Sequence, residues 1–367
     1  MPVKRLFIPS VLIIILIIDT FSSGDNTKEQ SLPQKREGTA IIITGAAARI
    51  PQEAALLEEL YRRGLMNNVV FISGVSSGAL NSLILNGLLS KKITWDEYKE
   101  ILFGIRNDEI FIQEGKKLPV NTGPERELLT RIAEKRLGFH TIGDLPFMTE
   151  ISITALKDLD IKSKVYRMCS RKINEETDLS LSIVDILMAS TAFPVAFPQV
   201  KIKNAITIPD ISYADGGIGD DHVPYTGLLE FEKYRKKGVE SVYIISRKSD
   251  SIAAFSEELE ALGLKDRKIF DDLGVSIEGI LQKGFIRRLK SFVEEAPELV
   301  PLTYVWVPDF KQNFLMFSFN DLKEQYAVTS DWAKNHNPVP LKEYLLSIDE
   351  REQKRQISSG NSKILKK

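Results

Sequence analysis

The strongest constraint on this chain comes from two short apolar runs, AIIIT at residues 40–44 and VVFIS at 69–73. Both are rich in β-branched or aromatic residues and neither alternates with polar ones. That is the pattern of strands covered on both faces, as in a parallel sheet flanked by helices. Each run stops at tiny residues, and helical spacing begins at once. After AIIIT come Gly45, three alanines, Arg49, Ile50 and Pro51, a residue suited to the first turn of a helix. QEAALLEELYRRG then spaces Ala55, Leu56, Leu60 and Tyr61 helically and ends on Gly64. After VVFIS come Gly-Val-Ser-Ser-Gly and the helical ALNSLILNGLL. Further strand-like segments lie at 150–156, 164–170 and 241–246, with another leading to Tyr213. Helix-like stretches at 95–104, 125–136 and 182–190 separate them. Strands separated by helices predict an α/β fold of three layers, α/β/α, around a mostly parallel sheet.

A chain of 367 residues with 43% hydrophobic content can bury a large core, and the mostly helical pattern after residue 250 is read as packing around one extended domain. The net charge of −1 argues against nucleic acid as a partner. The single cysteine, Cys169, excludes an internal disulfide and a thiolate metal cluster. Only His140, His222 and His336 are available wherever an imidazole base is needed.

At the N-terminus, Lys4 and Arg5 precede an apolar run from Leu6 to Ile18, and small polar residues follow. Residues 1–24 therefore read as a signal peptide, since the run is short for a membrane span. An uncleaved membrane anchor is the other reading. The first predicts export to a periplasm, an endomembrane lumen or the medium. Residues 25–38 read as a polar linker, 39–345 as the folded domain and 346–367 as a polar basic tail without order.

Three segments carry candidate chemistry. Gly74 and Gly78 flank Ser76 at a strand-to-helix junction, where a sharp turn can raise a serine above the sheet and aim helix N-terminal amides at a reacting carbon. The bland reading is a small-residue turn. The tiny-residue loop opening TGAAARIPQEAALLEEL (44–60) lets backbone amides approach a ligand oxygen, or else is only a compact connection. Arg49 within it can pin the loop or meet an anionic head group. In YADGGIGDDHVP (213–224), Asp215 stands at a strand end, where α/β sheets put functional groups, although Asp-Gly-Gly is also an ordinary turn.

Taken together and in this order, these segments resemble the patatin-like phospholipase family. A fourth segment agrees: MASTAFPVAFPQV (188–200) is similar to the family's stretch between serine and aspartate, so the resemblance covers roughly residues 39–226. It implies a patatin-like fold and hydrolysis of fatty acyl esters in a phospholipid, galactolipid or glyceride at a membrane or micelle surface, with no metal and no cofactor. Position by position, it implies Ser76 as nucleophile and Asp215 as base. The amides of Gly45, Ala46 and Ala47 are then the oxyanion hole, supported by Arg49, Gly74, Gly78, Gly216 and Gly217.

The chain departs from the family where relatives usually read Gly-Gly-Gly-x-Arg/Lys-Gly, because it has Gly45-Ala46-Ala47-Ala48-Arg49-Ile50. An alanine required to adopt positive φ costs about 1 kcal/mol or more. Two other readings follow: a catalytically impaired lipid-binding or scaffolding protein, and a Ser-His-Asp esterase using His222 or His336. For membrane contact the candidates are VAFP (195–198) and the amphipathic ILQKGFIRRLKSFVEE, the latter also readable as a helix packed on the core.

Overall fold

Among the described residues, eight strands form one mixed sheet in the order β4-β3-β2-β1-β6-β7-β8, with β5 paired to β3. The computed structural model describes residues 35–113, 119–157, 160–169, 179–193, 196–203, 205, 211–248 and 277–364. The strands are β1 Thr39–Ile43, β2 Val69–Val75, β3 Met148–Lys157, β4 Asp160–Cys169, β5 Ser212–Asp215, β6 Ser241–Ile245, β7 Thr303–Trp306 and β8 Val339–Pro340. The central pairs β2/β1, β1/β6, β6/β7 and β2/β3 are parallel. The antiparallel strands β4, β5 and β8 lie outside that centre.

Helices cover both faces. The described ones are α1 Ile50–Arg62, α2 Ser77–Leu89, α3 Trp95–Phe103, α4 Asn107–Ile110, α5 Gly123–Thr130, α6 Ile183–Thr191, α7 Thr226–Arg235, α8 Ile277–Glu295, α9 Leu322–Lys334 and α10 Leu341–Ile364. Strand β1 shows why its sequence does not alternate. Ile41 and Ile43 enter one core with side chains of α1, α2, α6 and α9, while Ala40 and Ile42 enter a second core with those of α7, α8 and α10. All four are fully buried. An isoleucine so placed contributes about 2 kcal/mol through its transfer from water. The fold is thus a three-layer α/β/α arrangement, as the strand and helix pattern predicts.

Two boundaries differ from the sequence reading. Lys35 to Gly38 are tied to Gly238 through Glu37 N to Gly238 O (2.8 Å) and Gly238 N to Lys35 O (2.9 Å), so order begins before residue 39. The segment 346–367, expected to be an unstructured tail, is helical as far as Ile364 because α10 anchors its start. Leu341 and Ile348 are buried, and Asp349 pairs with Lys290 of α8 at 3.1 Å. The proposed signal segment 1–24 and the helical reading of 252–264 lie outside the described residues, and no described helix is long and apolar enough to cross a membrane.

Candidate active site

Strand β3 brings Ser76 and Asp215 together. One of its edges pairs with β4 across Glu150 to Lys157. Along the other edge β2 runs parallel and ends with Val75 opposite Ser152. The next residue of β3, Ile153, pairs with Asp215, the last residue of the antiparallel β5. The carboxyl ends of β2 and β5 therefore meet head-on, and Ser76, one residue past Val75, faces Asp215 across that junction. Carboxyl ends of strands are where sheets of this kind hold their ligands.

The turn at Ser76 is strained. Its backbone adopts φ 57° and ψ −129°, outside the helical and extended regions that non-glycine residues favour. Neighbouring backbone closes in from both sides. A Cβ on Gly74 would lie 2.3 Å from Gly78 O, and one on Gly78 would lie 2.3 Å from Thr44 O. No side chain fits at either position, which is why the motif needs glycine there. The Ser76 amide donates to Ser190 Oγ at 2.9 Å, and Ser190 Oγ donates to Ser152 O of β3 at 2.8 Å. Ser190 and Ala192 thus give the segment beginning at residue 188 a structural duty. Ser190 holds the serine turn, and Ala192 O accepts the Asp215 amide at 3.1 Å.

Asp215 is buried. Its Oδ1 accepts from the Gly217 amide at 2.8 Å, and its backbone oxygen accepts from Thr154 Oγ1 at 3.0 Å. Oδ2 is buried without a well-aligned hydrogen-bond partner among the described residues. The Ser76 hydroxyl is near enough to lower the carboxyl's pKa, so the two side chains are adjacent. Burial outweighs the lowering effects of Ser76 and Gly217 and pushes Asp215 up to about 6. Under the same segment, burial raises Glu125 to about 7 against the lowering effect of the nearby Thr191 hydroxyl.

None of the three histidines serves this pair. The His222 ring lies against Gly217 and against Gly284 of α8, where a Cβ would come within 2.2 Å of the imidazole. Burial holds it down to about 4, hence neutral, and it forms no hydrogen bond to Ser76 or Asp215. His336 stacks on Trp332, and the His140 amide caps Asp144. The Ser-His-Asp arrangement is not assembled.

The loop after β1 lies beside Ser76, since a Cβ on Gly45 would be 3.0 Å from Ser76 Cβ and 3.7 Å from its Oγ. Burial alternates along it: Gly45 and Ala47 are partly exposed, Ala46 and Ala48 buried. The Ala46 amide, expected in the oxyanion hole, donates instead to Ser77 Oγ at 2.7 Å, which turns it from the opening. The amides of Gly45 and Ala47 have no partner among the described residues. Ala47 sits at φ 48°, so the alanine occupies a left-handed position suited to glycine. Replacing it with glycine is expected to stabilise the fold by up to about 1 kcal/mol, net of glycine's extra freedom in the unfolded chain. Urea unfolding of Ala47→Gly against wild type measures it. Arg49 is only 1% exposed and donates from Nε to Phe314 O at 2.9 Å, so it pins the loop rather than meeting a head group.

Three further polar residues matter here that sequence reasoning did not assign: Ser77, Ser190 and Ser152. Ser152 Oγ also donates to Asp221 Oδ2 at 2.6 Å, joining the serine turn to the stretch after Asp215. Ser190 stood inside a recognised segment, but a hydroxyl bonded to a backbone amide over a separation of 114 residues leaves no local signature. Among the described residues, the proposed membrane-contact segments bury several of their apolar side chains. Phe285, Leu289 and Phe292 of α8 are at most 1% exposed, while its Arg287 forms a two-pronged pair with Asp220. Ala196 and Phe197 are buried, and Pro194 and Val195 lie outside the described residues.

A family model described as patatin-like phospholipase matches residues 41–229, just over half of the chain. No curated protein matches it. Among solved structures, VipD from Legionella pneumophila is similar over 88% of this chain and 73% of its own, with 12% identity and a TM-score of 0.37. At that distance the likeness adds nothing to the family match.

Proposed function

The chain belongs to the patatin-like phospholipase family, and on that footing we propose that it is a lipid acyl hydrolase whose chemistry is carried by Ser76 and Asp215 alone. The family supports lipid hydrolysis in general; the assignment of these two residues rests on the head-on meeting of β2 and β5 along β3.

In this mechanism the Ser76 hydroxyl attacks the ester carbonyl while Asp215 takes its proton. A carboxylate with a pKa near 6 is mostly ionised at neutral pH and is a far better proton acceptor than one at 3.8. The carbonyl oxygen becomes an oxyanion facing the amides of Gly45 and Ala47, with the Ser77 amide at the start of α2 as a third donor. Collapse breaks the ester bond, and the proton on Asp215 passes to the leaving alcohol. Asp215 then takes a proton from water, whose oxygen attacks the acyl-serine. Expulsion of Ser76 Oγ releases the fatty acid, and the proton returns from Asp215 to the serine.

The activity is expected to rise with pH. Protonated Asp215 cannot accept, so kcat/KM on a micellar phospholipid or a p-nitrophenyl acyl ester falls tenfold per unit below about pH 6 and levels off above it. A flat profile between pH 5 and 8 counts against Asp215 as base. Release of fatty acid from a panel of phospholipids, galactolipids and glycerides identifies the substrate, and release that persists in Ser76→Ala refutes the assignment. Export through the secretory route, with the N-terminal segment removed or kept as an anchor, is part of the same proposal. N-terminal sequencing of the protein recovered from cells tests it.

One observation favours a second reading, an impaired, lipid-binding member of the family. Ala47 is strained and the Ala46 amide is engaged, so the loop offers fewer free donors than a glycine loop. Liposome binding without reaction at Ser76 supports that reading; fatty acid release removes it.

A further inference from the structure

The family match ends at residue 229, yet the loop that faces Ser76 is held mainly by residues far beyond it. The Ala48 amide donates to Met316 O at 2.7 Å. The Ala48 oxygen accepts from Gln325 Nε2 of α9 at 3.1 Å, and Arg49 Nε donates to Phe314 O at 2.9 Å. Gln325 is fully buried, and its Oε1 accepts from Gln52 Nε2 of α1 at 3.0 Å, so its orientation is set. The segment carrying Phe314 and Met316 is clamped in turn. Lys248 Nζ reaches Gln312 O at 3.1 Å and Asn313 Oδ1 at 2.7 Å. Asn107 of α4 donates to Phe317 O at 3.2 Å and accepts from the Phe319 amide at 2.7 Å. Phe317 packs edge-on against Phe193, with ring centroids 5.4 Å apart.

These contacts have a definite consequence for the loop. Ala46 N–H is fixed on Ser77 and Ala48 N–H on Met316, so of three successive amides the middle one, on Ala47, has no partner among the described residues. That middle residue is the one at φ 48°. An alanine released from its neighbours relaxes toward negative φ and takes its amide with it. We infer that the 312–319 segment and Gln325 are the positioning element of the oxyanion loop, holding the Ala47 amide toward the ester oxygen despite the alanine. The inference rests on the proposed role of Ser76 and on nothing further about the substrate. Gln325 and Asn107 touch no reacting atom and act through the loop.

The test uses the full-length chain with a p-nitrophenyl acyl ester and a fatty acyl trifluoromethyl ketone, which a serine nucleophile converts to a tetrahedral oxyanion. Gln325→Met keeps the volume and removes the donor to Ala48. It is expected to lower kcat about 10- to 100-fold, toward the loss of one oxyanion donor, with KM within twofold. The ketone's inhibition constant should rise by the same factor as kcat/KM falls. Adding Ala47→Gly to Gln325→Met should recover most of the lost kcat, because glycine holds positive φ without help. If Gln325→Met does not fold, Asn107→Ala, at a half-buried position, is expected to act in the same direction more weakly. Folded variants with unchanged kcat and unchanged ketone affinity overturn the inference. So does a loss confined to KM. Ser76→Ala in the same assay separates the two proposals. If it retains turnover, the reading of Ser76 fails; if it is silent while both loop-support variants match wild type, only this inference fails.

Discussion

An Asp215→Asn variant is expected to hydrolyse no lipid ester and yet to be more stable than the wild-type protein at pH 8. Both effects have one cause. The carboxyl group is buried, and burial raises its pKa from 3.8 to about 6 because the charged form loses its water. A carboxylate whose folded pKa lies above its unfolded one binds its proton more tightly in the folded state. Its favourable contribution is full below pH 3.8 and is lost as pH rises through about 6. Above that the folded protein carries a penalty of about 3 kcal/mol, from two units at about 1.4 kcal/mol each. Asparagine is neutral at every pH, keeps an oxygen for the Gly217 amide and removes the penalty. It also cannot accept the serine proton. Urea unfolding at pH 8 should show a gain of up to about 3 kcal/mol that vanishes near pH 4. A variant no more stable than wild type at pH 8 means that the carboxylate is better solvated than its burial implies.

Ser76→Ala is expected to lower ester hydrolysis by about four orders of magnitude or more, leaving the fold intact. The turn does not depend on the hydroxyl. It is held by the Ser76 amide on Ser190 and by the close backbone contacts at Gly74 and Gly78, all of which alanine keeps. The melting temperature should move by only a few degrees. The strained φ of 57° persists in the variant, as for any residue with a Cβ. Loss of activity with unfolding would mean that the serine hydroxyl serves the fold, which its surroundings argue against.

Much of the architecture was legible because it is local. AIIIT reads as a doubly covered strand, and Ile41 and Ile42 do supply opposite cores. The glycines around Ser76 read as a tight turn because only they fit. The meeting of Ser76 and Asp215 was legible only through the resemblance. That β5 continues the edge of β3 where β2 stops depends on antiparallel register between segments some 60 residues apart, which no local pattern encodes. The oxyanion loop was half legible. A cost from alanine at positive φ was foreseeable, but the identity of the strained residue, and the diversion of the Ala46 amide to Ser77, required coordinates. The basic composition after residue 346 suggested a free tail, but Leu341, Ile348 and the Lys290–Asp349 pair extend a helix through it.

The proposed activity depends above all on Ser76 being a nucleophile activated by Asp215. A fluorophosphonate probe with a fatty alkyl chain, followed by peptide mass mapping across pH 5 to 8, addresses it most directly. One covalent adduct is expected, on Ser76, forming at a rate that climbs with a midpoint near pH 6 and is abolished by Asp215→Asn. An adduct on any other residue, or a Ser76 adduct whose rate ignores both pH and the aspartate, would contradict it.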